Sequence, residues 1–187
     1  MAKTVYYTAA SLDGFIADAG HGLDWLLQFG DPEGGDYEDF IASVGALAMG
    51  AHTYEWVLAN AVRPPDCEAQ PWPYAQPCWV FSTRSLPDLP DADLRFVRGD
   101  VRPVHRDMLD AAAGKDLWIV GGGELAGQFL DAGLLDALIV TIAPVTLGAG
   151  APLLPRRVAT PPLELVSARA WGDVFVRLHY RVARPMG

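Results

Sequence analysis

The sequence predicts an α/β domain of three layers: a mostly parallel central sheet, helices on both of its faces, and an antiparallel hairpin at the C-terminus. Three observations carry this. Short apolar, β-rich runs alternate with segments of helical periodicity from Val5 to Ile142, the pattern of parallel strands joined by helical crossovers. Two of those runs end in glycine just before a helix begins, at Gly50 and at Gly121-Gly122-Gly123. The last two strand-like runs are separated only by Trp171-Gly172-Asp173, which suits a hairpin.

Val5 to Ala10 reads as the first strand, Ser11 to Gly14 as a turn, and Phe15 to Ala17 as resumed extended chain. The Gly/Asp-rich stretch Asp18 to Gly35 reads as a long loop with a short helix over Leu23 to Phe29. Phe40, Ile41 and Val44 recur at helical spacing within Asp36 to Val44. Strands are expected at Ala46 to Met49, Cys78 to Phe81, Leu94 to Val97, Leu117 to Val120 and Leu138 to Ile142. Helices are expected at Thr53 to Ala59, Val104 to Ala113 and Glu124 to Ala132. Val62 to Pro77 is proline-rich and irregular, a lid or a surface loop, and Pro144 to Pro155 is a Gly/Pro loop. Leu163 to Ala170 and Val174 to Val182 form the hairpin.

Neither side of the proline-rich stretch is self-sufficient, so residues 1–187 are expected to form one domain. Hydrophobic residues make up 51% of the chain and charged residues 20%, enough to bury a full core. The net charge of −9 repels phosphate backbones, which argues against a nucleic-acid partner. Backbone N–H groups can still bind a nucleotide's phosphates without a basic surface. Cys67 and Cys78 lack a CxxC spacing and read as free thiols, and the four histidines show no ligand spacing, so no metal is expected. Ser11 lacks the G-x-S-x-G context of a hydrolase. No signal-like or membrane-length apolar run is visible, so a cytoplasmic protein is expected.

Val120-Gly121-Gly122-Gly123-Glu124-Leu125 ends a strand and opens a helix. Glycine permits a sharp turn and close approach of a phosphate, and the helix start offers free N–H donors. The same segment also fits a tightly packed strand–helix connection, and its spacing is not that of the G-x-G-x-x-G fingerprint. Met49 to Glu55 repeats the strand–glycine–helix pattern, with Thr53 a helix cap or a phosphate donor. Two such junctions could hold two parts of one dinucleotide. Ser82-Thr83-Arg84 suits an adenosine 2′-phosphate, or is a solvated loop.

In this order, the N-terminal strand, Ser11-Leu12-Asp13-Gly14-Phe15-Ile16-Ala17, Gly50-x-x-Thr53-Tyr54-Glu55, the Ser82 loop, Val120-Gly121-Gly122-Gly123 and Thr141 resemble the dihydrofolate-reductase-like superfamily. From Gly122 to Leu154, and above all in Glu124 to Val140 and Ile142 to Gly148, the chain resembles the reductase domain of riboflavin biosynthesis, the RibD C-terminal domain. The resemblance implies a dihydrofolate-reductase-like fold, a homodimer formed through the late strands, and reduction of a pyrimidine- or pterin-type small molecule with NADPH, or with NADH. The reaction implied is like that of 5-amino-6-(5-phosphoribosylamino)uracil reductase. Dihydrofolate reduction and a non-catalytic nucleotide-binding module are the alternatives. The resemblance further implies that Ala9 and Ile16 border the nicotinamide, that Gly50, His52 and Thr53 hold the pyrophosphate, and that Ser82, with Thr83 or Arg84, lies near the adenosine ribose. Val120, Gly121, Gly122, Gly123, Glu124 and Leu125 would wrap the cofactor, across a cis Gly121–Gly122 bond. Trp25 and Thr141 would face the substrate.

Departures from the pattern sharpen these expectations. Ala51 stands where many dihydrofolate reductases carry an arginine that selects NADPH, and Ala126 where many members carry a tyrosine. Phe15 replaces the arginine that riboflavin reductases place after the Leu-Asp-Gly turn. Asp36, four residues before Phe40, fits the spacing of the folate-binding acid, with Asp31 an alternative; a charge at a helix N-terminus is the other reading of Asp36. Asp36, Asp13 or water beside Thr141 would supply the proton.

Overall fold

The structure is a computed structural model that describes residues 2–30, 37–65 and 67–183. In chain order its strands are β1 (Thr4–Ser11), β2 (Phe15–Ala17), β3 (Val44–Gly50), β4 (Cys78–Phe81), β5 (Leu94–Val97), β6 (Asp116–Gly121), β7 (Ala137–Ala143), β8 (Ala151–Pro152), β9 (Glu164–Trp171) and β10 (Phe175–Arg181). The helices are α1 (Asp24–Leu27), α2 (Tyr37–Ser43), α3 (Ala51–Val57), α4 (Val101–Ala112) and α5 (Gly123–Asp131), with a π-helical stretch at Leu58–Val62 continuing α3.

Eight strands form one sheet in the order β5-β4-β3-β6-β1-β7-β10-β9. The pairings from β5 to β7 are parallel, and β10 and β9 add antiparallel strands beyond them. The expected mostly parallel sheet with a terminal hairpin is therefore the observed one. Alternation along the strands divides the core in two. Tyr6, Ala48, Leu117, Ile119 and Val140 face α4 and α5 through Met108 and Phe129. Leu47, Met49, Cys78, Val80 and Trp118 face the other layer, where Tyr54, Leu58, Val62 and Phe40 pack. Trp118 ties this layer to β1 by donating from Nε1 to the Tyr7 carbonyl at 2.9 Å.

Three local differences have physical causes. Helix α4 begins three residues before the expected Val104, because Asp100 caps it by accepting from the Arg102 N–H at 2.9 Å and Pro103 is tolerated in a first turn. Helix α3 starts at Ala51, so Thr53 is inside the first turn and is not a cap. β2 and β8 pair as a small antiparallel sheet, which draws part of the Pro144 to Pro155 loop into regular structure.

Candidate functional site

Strands β3 and β6 are neighbours, with Met49 opposite Gly121, so their two glycine turns emerge side by side at the carboxyl ends of the strands. In an open α/β sheet this edge is where ligand crevices form. A Cβ placed on Gly50 would lie 3.8 Å from the Gly122 nitrogen, which leaves the two turns separated only by glycine backbone. The Gly121–Gly122 peptide is cis. Thr53 Oγ1 packs against Gly121, 2.8 Å from where a Cβ would stand. The N-caps of α3 and α5 are Gly50 and Gly122, and neither helix start is closed by a side chain. The first N–H groups of each helix lack intrahelical partners and favour an anion.

Both turns open onto one cavity of about 630 Å³, within the usual range for a small-molecule site. Gly50, His52 and Thr53 line one side, and Val120 to Leu125 the other. Ile16 closes it from β2, with its Cδ1 3.7 Å from the Cβ position of Gly122. Trp56, Tyr74 and Phe81 add aromatic rings to its largely apolar walls. The imidazoles of His21 and His52 stack at 4.1 Å, and both border the cavity. Glu124 is the one carboxylate among the described lining residues, and Arg156 grips both its oxygens at 2.7 and 2.9 Å. That guanidinium holds the Glu124 carboxyl below its ordinary range, so it stays ionised but charge-compensated.

Other expected residues stand elsewhere. Ala9 and Thr141 are opposite each other on β1 and β7. Thr141 is buried, and its Oγ1 accepts from Arg177 Nε at 3.4 Å. Trp25 packs with Ala143 and Phe175 in a separate cluster. Ser82, Thr83 and Arg84 follow Phe81 on the rim and do not line the cavity. Their loop is internally bonded, with Ser82 Oγ accepting from the Arg84 N–H and donating to the Arg84 carbonyl, both at 2.9 Å. Asp36 and Asp31 lie outside the described residues.

Asp13 is used as an acceptor. Its carboxylate takes the Ser11 hydroxyl at 2.6 Å, the Leu147 N–H at 3.0 Å and the Gly148 N–H at 2.7 Å. The Ser11 hydroxyl, then the Gly148 N–H, hold its carboxyl below the ordinary range. These bonds make the carboxylate a brace between the first turn and the loop after β7.

Sequence reasoning missed Thr8, His21, Trp56, Tyr74 and Gln128 as cavity residues. It also missed Arg177, which donates to the Tyr7 hydroxyl as well as to Thr141 and lies over the Trp171 ring. Tyr7 in turn meets the Phe40 ring edge-on at 4.5 Å. The long separation of these residues in sequence hides them. Period-two alternation along β10, whose pairing with β7 sets Arg177 opposite Thr141, is the signal that could have found Arg177. Among the described residues no group of three or more His, Cys, Asp or Glu could hold a metal, and no helix is long and apolar enough to cross a membrane.

Comparison with known proteins bears on this geometry. The family model of the RibD C-terminal domain matches residues 2–176. The uncharacterized protein YwjB of Bacillus subtilis (strain 168) is 34% identical over 179 residues, covering 95% of this chain and 97% of YwjB. A putative riboflavin biosynthesis protein from Shewanella sp. PV-4 superposes with a TM-score of 0.77 at 29% identity, covering 98% of this chain and all of that one. The Enterococcus faecalis dihydrofolate reductase complexed with NADP(H) shares the fold, with a TM-score of 0.60 at 18% identity and 97% coverage of both chains.

Proposed function

The chain belongs to the RibD C-terminal domain family, and from that premise we propose that it is a reductase that binds NADPH or NADH between its two glycine turns and reduces a pyrimidine- or pterin-type small molecule. One observation carries the reading. The turns after β3 and β6, with their open helix starts, line a single cavity of dinucleotide-binding size. Had they opened onto different surfaces, no single molecule could touch both.

The residues present fit such a cofactor. The N–H groups after Gly50 and after Gly122 would hold its phosphates, with His52 and Thr53 beside them, and Ile16 would border the nicotinamide. When bound, the reduced nicotinamide supplies the hydride, to a C=N or C=O carbon of the substrate. The chain's own part is position and exclusion of water. Trp56, Tyr74 and Phe81, with the aliphatic lining residues, keep the cavity largely apolar. Tyr7, Thr141 and Arg177 form a bonded polar set on the sheet face that continues from Ala9, and we assign the substrate to that side. With Asp13 committed as an acceptor, the proton falls to Asp36 or to water held beside Thr141.

The edge strand β9 and its neighbour β10 expose Leu165, Val166 and Val176. An uncovered apolar edge invites pairing, and we assign it to a homodimer of a cytoplasmic enzyme.

Titration of the purified chain with NADPH and NADH, followed by nicotinamide fluorescence, tests the cofactor. Oxidation of the bound cofactor is then assayed against a panel of pterins and pyrimidines, dihydrofolate and 5-amino-6-(5-phosphoribosylamino)uracil included. Binding with turnover supports the reductase, and binding with no turnover on any panel member supports a nucleotide-binding module. Failure to bind either dinucleotide refutes the reading.

A further inference from the structure

A second pocket, of about 240 Å³, lies on the sheet face formed by β1, β7, β10 and β9, with Phe40 of α2 beside it. Its floor follows from strand register. Tyr7 pairs with Ile139, Ile139 with His179 and His179 with Ser167, so these four form one row across the sheet. In the next row on the same face, Thr141 pairs with Arg177 and Arg177 with Arg169. Among the described residues, none that lines this pocket also lines the cavity between the glycine turns.

Two guanidinium groups thus stand opposite each other on neighbouring strands, in a chain whose net charge is −9. Like charges directly opposite destabilise a sheet, and no carboxylate occurs among the described residues that line the pocket. Arg177 is held in place. Its Nε donates to Thr141 Oγ1 at 3.4 Å, its Nη2 to the Tyr7 hydroxyl, and its guanidinium lies over the Trp171 ring. Arg169 is exposed and pairs with no acid among the described residues. Burial, then the Lys3 charge, hold His179 below its ordinary pKa, so at neutral pH its ring adds an N–H donor, and Ser167 adds a hydroxyl. The other half of the pocket is apolar: Ile139, and the rings of Tyr7 and Phe40, which meet edge-on at 4.5 Å. Cations on one side and rings on the other match a small acid, with a carboxylate for the arginines and a flat apolar body for the rings. The volume is under the usual small-molecule range of about 300–1,000 Å³, which limits that body to a single ring.

We propose that this pocket binds a small organic acid, its carboxylate between Arg169 and Arg177 and a single flat ring against Ile139, Tyr7 and Phe40. Tyr7 and Arg177 also belong to the polar set to which the substrate is assigned. The inference therefore names the chemistry of the substrate at that end, and for that role it rests on the proposed function. Binding itself needs no dinucleotide. Benzoate, its neutral isostere benzamide and inorganic phosphate are the probes, each titrated without cofactor into the intact isotope-labelled chain and into Arg169→Gln. Amide chemical shifts in heteronuclear NMR spectra report the dissociation constant, the location of the probe and the folding of the variant.

Benzoate is expected to shift the amides of Ser167, Arg169, Arg177 and His179 and to leave those of Gly50 to Thr53 in place. Benzamide is expected to bind about tenfold more weakly or not at all, and Arg169→Gln to weaken benzoate by about five- to tenfold, as a charge-assisted contact is lost. Shifts absent from β9 and β10, benzamide binding as tightly as benzoate, or an unaltered benzoate affinity in Arg169→Gln overturns the proposal. Phosphate binding there as tightly as benzoate overturns the organic acid and leaves a bare oxyanion site. A separate titration with NADH and NADPH that moves neither Gly50 nor Gly122 refutes the cofactor reading and leaves the benzoate result standing.

Discussion

Gly50 faces Gly122 across a gap that one methyl group would fill: a Cβ at position 50 meets the Gly122 nitrogen at 3.8 Å and the Gly121 carbonyl at 3.9 Å. These are ordinary contacts, and Gly50 has an extended backbone open to any residue (φ −81°, ψ 167°). Gly50→Ala should therefore fold, with stability within about 1 kcal/mol of the parent. The methyl would nevertheless stand where a pyrophosphate must approach both turns. NADPH and NADH affinity should fall by about tenfold or more, read by fluorescence titration beside urea denaturation.

Gly123→Ala should behave in the opposite way. A Cβ there would lie 2.2 Å from the Pro152 carbonyl oxygen and 2.4 Å from that of Leu153, both backbone. Neither can swing aside as a side chain would. The clash should cost on the order of 1–3 kcal/mol or more, seen as a lower urea midpoint with or without cofactor.

Asp13 gives a pH signature. Its carboxyl is held below the ordinary range in the folded chain, by the Ser11 hydroxyl first and then the Gly148 N–H, against about 3.9 when unfolded. The unfolded chain thus takes up the proton first as pH falls. The contribution is fully present above about pH 5 and is lost as pH drops through 3.9 toward the folded value. Asp13→Asn should flatten this part of the acid limb in urea titrations at stepped pH. It should leave the pH profile of cofactor oxidation unmoved, because a brace does not titrate in turnover. A displaced kinetic profile would return Asp13 to the proton path.

Leu165 is 59% exposed on the edge strand. Leu165→Glu should cost the isolated fold little, within about 0.5 kcal/mol, yet convert a dimer to a monomer in light scattering. An unaltered chain already monomeric at working concentration would remove the dimer assignment.

The hydrophobic periodicity made the layers of the sheet visible because strand and helix periods differ so plainly in Leu117 to Ala132 and in Leu138 to Ile142. Boundaries were less legible where a cap outweighed propensity, as at Asp100, or where a strand begins within an expected helical run, as β3 does at Val44. The two glycine turns were readable as backbone features, since glycine before a helix has few other uses. Their adjacency was not, because it depends on β3 pairing with β6, more than sixty residues later. The same limit applies to Arg84. Its sequence context suggested a free cation, while its charge is met by Glu55 from another element. Tyr74 was hidden inside a proline-rich stretch with no periodicity to orient it, and only Trp72 and Tyr74 anchoring it to the Trp118 layer shows that the excursion is partly wall and partly core.

The place of β1 in the sheet has a consequence for how the molecule is made. Its two hydrogen-bonded neighbours are β6 and β7, whose residues leave the ribosome more than a hundred positions after Thr4. β1 precedes every other strand of the sheet in the chain, yet it is among the last to be paired. Until the chain has been extended past Gly121, an apolar strand waits without a ladder on either side, and pairings so distant in sequence form slowly. Nascent chains stalled before β6 should therefore be the ones that engage chaperones, while release of the completed β7 lets the middle of the sheet close around its oldest strand.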